Sequence, residues 1–159
     1  MSVVRTAWLI ARKDFRVESR SRELVYTALF FAVSCVLLFS FAFVREGEAI
    51  EGSAAGILWV AIAFSGTLAL GRTFERERQA ETLRALLLAP VERSAVYLGK
   101  FLGVLVLLTA IEIVLVPLVA FLFQAPLGRA PLLFLAILSS GTIGFVAVGT
   151  LFAAMLGRA

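Results

Sequence analysis

The sequence predicts an all-α membrane protein, with four apolar helices that cross a bilayer and an amphipathic helix before them at its surface. Three observations carry this. Of 159 residues, 61% are hydrophobic and 16% charged, with a mean hydropathy of +0.99; soluble domains are about half apolar and about a quarter charged. The apolar residues gather in runs of about twenty, the length a helix needs to cross a hydrocarbon core about 30 Å thick. The basic residues are also unevenly placed: of fifteen Lys and Arg, six precede residue 24 and six lie within 72–100. The two other connections hold only Arg45 and Arg129, so the positive-inside rule puts the N-terminus and 72–100 on the cytoplasmic side.

Residues 2–20 place Val4, Ala7, Trp8, Ala11 and Phe15 at helical spacing, with Arg5, Arg12, Lys13 and Arg16 largely on the other side. This predicts an interfacial helix, with Trp8 and Phe15 as its membrane anchors. Residues 24–44 carry no charge and form the first span. A short acidic connection with Glu46, Glu48 and Glu51 leads to the second span, 53–71, where Gly52 and Gly56 offer a close-packing pair.

The polar segment 72–100 follows. Glu75 and Arg78, then Glu81 and Arg84, can pair at i,i+3, and Ala80, Leu83, Leu86 and Leu87 gather on one side of a short amphipathic helix that ends by Pro90. Gly99 and Gly103 lead into the third span, 101–123, which Pro117 should kink. The fourth span, 131–156, carries small-residue ladders at Ser140/Gly144 and Gly149/Ala153/Gly157. The whole of 1–159 is expected to form a single membrane domain.

The chain has no histidine and a single cysteine, Cys35, which excludes an internal disulfide, the usual His/Cys metal sites and imidazole catalysis. No P-loop is present, since Gly99-Lys100 is followed by Phe101 and lacks the glycine expected before it. Nucleic-acid binding is not expected, because Glu75 and Glu77 alternate with Arg76 and Arg78. Glu112 stands alone in the third span, where an ionisable group is costly unless paired, protonated or beside water. It must face the bundle interior, with Thr109 as a local partner, and serve as a pathway or switch residue or as a hydrogen-bonded packing element. No catalytic, cofactor or metal site is expected in this chain.

Several phrases together resemble one family. GILWVAIAFSGTLALGRTFERE at 56–77, TLRALLLAPVERSAVYLGK at 82–100 and RKDFRVESRSRE at 12–23 are similar to CcmB, the membrane permease of the cytochrome c maturation ABC exporter. The resemblance implies an ABC-2 type permease bundle in the bacterial inner membrane, paired with a CcmA-like ATPase, CcmC- and CcmD-like membrane subunits and a CcmE-like haem chaperone. A homodimer or hetero-oligomer is implied, with membrane lipid as a further partner. ATP would be bound by the ATPase, and haem would be a candidate substrate. Without histidine, only Tyr26, Tyr97, Cys35 and Met155 remain as weaker haem ligands.

For such an exporter the ATPase pushes on a short helix between the second and third spans, here placed at 81–88. Leu83, Leu86 and Leu87 would fill a groove on the ATPase or on the chain's own N-terminal helix, and Glu77, Arg78, Glu81 and Arg84 would set register at the rim. Family members usually have six spans and more than about two hundred residues, so the chain is expected to be C-terminally short. The alternatives are another ABC-2 exporter, of lipid, polysaccharide or drug, and a non-transporting membrane scaffold.

Overall fold

The computed structural model describes residues 3–21, 23–43, 51–79, 93–126 and 129–156, and these form helices α1 (Val3–Ser21), α2 (Glu23–Phe43), α3 (Ala54–Gln79), α4 (Arg93–Leu122) and α5 (Pro131–Leu156). A 3₁₀ turn, Glu51–Ser53, leads into α3. No strand occurs among the described residues. The last four helices are each long and apolar enough to cross a membrane, which makes the chain a multi-pass membrane protein.

α3 and α4 are longer than their apolar runs predict. α3 continues to Gln79 because Arg72 to Gln79 contains no Gly or Pro and offers charge pairs at i,i+3. α4 starts at Arg93, soon after Pro90, and continues past Pro117 to Leu122. Both ends of the 72–100 segment are therefore extensions of membrane helices.

α4 is the hub, packed against α1, α2, α3 and α5. Val36 of α2, Ile62 of α3, Leu108, Ile111 and Leu115 of α4, and Val146 of α5 are fully buried between the helices. On α2, Leu24, Ala28, Ala32 and Val36 recur every four residues and turn inward, while Tyr26, Phe30, Leu38 and Phe41 point outward. Apolar surface of that size suits a lipid solvent, in which backbone groups are satisfied within the helix and outward side chains are hydrophobic.

Small residues set the helix spacing, at some of the predicted positions and not at others. Gly66 lies against Phe145 and Leu108, Gly141 against Trp59, and Gly149 against Leu70, while Gly52, Gly56 and Gly144 face open space. The end of α4 is closed by a left-handed Gln124 (φ 49°) and a bond from the Ala125 amide to the Ala120 carbonyl at 3.2 Å. This is the Schellman arrangement, which satisfies a carbonyl the helix leaves open.

Candidate functional site

Among the described residues, a buried ion pair lies where α1 crosses the start of α4. Ala7, Ile10 and Ala11 turn one edge of α1 inward. Gly99 meets that edge so closely that a Cβ there would stand 2.7 Å from Ile10 Cβ and 3.1 Å from the Ala7 carbonyl oxygen. One turn further along α1, the Asp14 Oδ2 carboxylate oxygen receives the Lys100 ammonium at 2.5 Å. The Lys100 side chain is 3% exposed and that of Asp14 19%, so this pair is largely removed from water. Lys13 reaches the other carboxylate oxygen at 3.1 Å from the exposed side, a contact worth little because solvent screens it.

This junction was not legible from local pattern, because Asp14 and Lys100 are 86 residues apart. A signal did exist. Lys100 is the last charged residue before an uncharged stretch that runs to Glu112, and Asp14 is the chain's only aspartate. A lysine at the edge of an apolar helix calls for an anionic partner.

Two further links hold the same end of the bundle. Arg72 of α3 and Glu23 of α2 approach to 3.4 Å with both side chains exposed, a weak surface pair. The Tyr97 hydroxyl of α4 donates to the Ala147 carbonyl of α5 at 2.9 Å.

Midway along α4, buried Glu112 accepts a hydrogen bond from the hydroxyl of Thr142 on α5, which also lies 2.9 Å from the Leu138 carbonyl. The partner is therefore on the neighbouring helix. Thr109 is exposed and bonds its own helix at the Leu105 carbonyl, 2.9 Å away, because a threonine hydroxyl within a helix reaches the carbonyl one turn back. The arrangement joins α4 to α5 through a polar bond between helices, worth about 0.6 and at most about 1.7 kcal/mol in membrane proteins. Glu112→Gln keeps both a donor and an acceptor at this point. It should retain wild-type melting, whereas Glu112→Leu should melt earlier. A Gln variant that melts as early as the Leu variant would show that the charge itself holds the contact.

Of the predicted coupling residues, Glu77 and Arg78 lie on the last turns of α3. Glu81, Leu83, Arg84, Leu86 and Leu87 lie outside the described residues. Trp8 and Phe15 point away from the bundle, as does Val4, so the predicted apolar face of α1 divides into a protein-facing edge and an outward edge. The candidate haem ligands are dispersed over three helices: Tyr26 and Cys35 on α2, Tyr97 on α4 with its hydroxyl engaged, and Met155 on α5. Among the described residues no group of three or more His, Cys, Asp or Glu is placed to hold a metal.

Comparison with known proteins gives one family. The family model described as CcmB protein matches residues 5–157. Curated proteins called heme exporter protein B, from Escherichia coli K12, Escherichia coli O157:H7 and Shigella flexneri, are 33% identical over 96 residues, covering 60% of this chain and 44% of each relative. The matched part thus spans less than half the length of those relatives. No solved structure matches the chain.

Proposed function

The chain belongs to the CcmB family, and on that premise we propose that it is the permease subunit of a CcmABCD-type ABC transporter in cytochrome c biogenesis. It would couple ATP hydrolysis by a partner subunit to haem export or to release of a haem-loaded chaperone. Beyond the family itself, the observation that supports this best is the junction in which Asp14 and Lys100 join α1 to the start of α4. A coupled membrane subunit needs a stiff element that passes a push at its surface into the spans. α4 is a continuous helix of 30 residues, about 45 Å long, and at its start α1 is held to it by a buried ion pair and by the close approach at Gly99.

In this reading the ATPase docks on the segment between α3 and α4. Leu83, Leu86 and Leu87 form the apolar anchor, and Glu77, Arg78, Glu81 and Arg84 the polar rim. A push there moves the start of α4, and α1 moves with it. The distribution of Lys and Arg supports a cytoplasmic position for this end of the bundle and the N-terminus, and the family supports the inner membrane as their setting. Trp8 and Phe15 hold α1 at the bilayer surface. The ATPase is CcmA-like, the membrane partners CcmC- and CcmD-like, and the chaperone CcmE-like; ATP is bound by the ATPase, and this chain contributes docking and movement without a catalytic step of its own.

Purification from native membranes tests this reading. The wild-type chain should bring down a CcmA-type ATPase and a CcmE-type chaperone. The Leu83→Asp, Leu86→Asp double variant should keep its membrane partners but bind the ATPase roughly a hundredfold more weakly, from two lost apolar anchors at about 1.5 kcal/mol each. An unrelated ATPase would point instead to an exporter of lipid, polysaccharide or drug, and no ATPase to a scaffold. Unchanged ATPase recovery in the variant would remove the leucines from the docking surface.

A further inference from the structure

The outward side of α1 has two adjoining edges of different chemistry. Val4, Trp8 and Phe15 form an apolar edge and are 75%, 62% and 59% exposed. Arg5 and Arg12 are seven residues apart, two helical turns, so they stand on one line about 10 Å apart. Both are exposed, and neither takes part in an ion pair among the described residues. The third edge, with Ala7, Ile10 and Asp14, is already used against α4.

The neighbours available to this surface are limited. α1 leads directly into α2, the first membrane-spanning helix, and is fixed to the start of α4, another such helix. An apolar edge on such a helix sits at the acyl boundary, with the tryptophan ring amphipathic at the interface. The arginines beside it then lie at the level of the lipid phosphates. A guanidinium matches a phosphate with paired donors, and two uncompensated positive charges favour headgroups that carry net negative charge.

We propose that the outward face of α1 binds anionic phospholipid headgroups, with Arg5 and Arg12 on the phosphates and Val4, Trp8 and Phe15 inserted beneath them. This rests on the surface placement of α1 proposed above and adds a lipid selectivity to it. Selective lipid binding would hold the α1 and α4 junction at a fixed depth, so that a push on α4 is resisted at the membrane surface.

The chain's two tryptophans are Trp8 and Trp59, which allows a direct test. The full chain carrying Trp59→Phe is reconstituted in mixed phosphatidylcholine and phosphatidylglycerol bilayers, and a fixed share of one lipid or the other is replaced by its brominated form, which quenches indole fluorescence on contact. Brominated phosphatidylglycerol should quench Trp8 more strongly. The selectivity should be on the order of fivefold for each arginine and should disappear in Arg5→Gln, Arg12→Gln. Because Trp59 packs against Gly141, the same reading is also taken as the difference between the natural chain and Trp8→Phe, which leaves Trp59 in place. Equal quenching by both lipids would overturn the headgroup selectivity while leaving α1 at the surface. Quenching by neither would overturn the surface placement as well.

Discussion

Asp14→Ala is expected to cost about 3 to 5 kcal/mol of stability in the detergent-solubilised protein, the loss found when one partner of a buried ion pair is removed. The reason is the charge left behind. Lys100 is almost wholly enclosed, and Lys13 cannot replace Asp14 because it is also a cation. A lysine at this depth can swing its ammonium towards water, which favours the lower end of the range. Asp14→Asn keeps one acceptor and should fall between wild type and alanine. Asp14→Leu combined with Lys100→Met removes both charges and fills the space with apolar atoms, so its melting should return close to wild type or exceed it. Thermal unfolding followed by size-exclusion recovery measures all four proteins. An Asp14→Ala protein that melts with wild type, or a double variant as unstable as the single one, would show that the pair is not enclosed as described.

The membrane helices were legible because lipid imposes one simple rule on sequence: about twenty apolar residues without a charge. That rule finds α2 and α5 almost to the residue. It does not find the ends of α3 and α4, because helix continues through charged residues once it leaves the apolar layer, as at Arg72 to Gln79. Amphipathicity identified α1 but could not say which apolar edge meets protein and which meets lipid, since Ala7 and Trp8 are adjacent on the same arc and both solvents are apolar. The structure separates them, with Ala7 buried and Trp8 exposed.

The site was less legible, for a related reason. Glu112 announced itself as a lone carboxyl in an apolar run, yet its partner Thr142 comes from another helix, 30 residues later. Asp14 was one charge among several in a basic leader, and only the fold distinguishes it by bringing it to Lys100. The glycine pairs show the same limit. Spacing nominated Gly52 and Gly56, which face open space, and also Gly99 and Gly149, which do meet neighbouring helices; it passed over Gly66 and Gly141, where the approach is equally close.

Gly99 provides the second large effect and separates docking from transmission. Any side chain there would meet Ile10 at its branch point, Cβ, and also the Ala7 carbonyl, so no rotamer change relieves the clash and α1 itself must back away. Overpacking of this kind costs about 1 to 3 kcal/mol, and the displacement also pulls Asp14 from Lys100. Gly99→Ala should show the effect in part and Gly99→Leu in full. On the proposed function, the decisive measurement is made on the assembled transporter in membrane vesicles, with ATPase recovery, ATP hydrolysis and release of the haem-loaded chaperone followed together. If the junction of α1 with α4 carries the movement, the Gly99→Leu complex recovers its ATPase in full and still hydrolyses ATP, yet releases the chaperone about tenfold more slowly or worse, as a loss of about 1.4 kcal/mol or more in coupling implies. Release at the wild-type rate from a complex containing Gly99→Leu would contradict it.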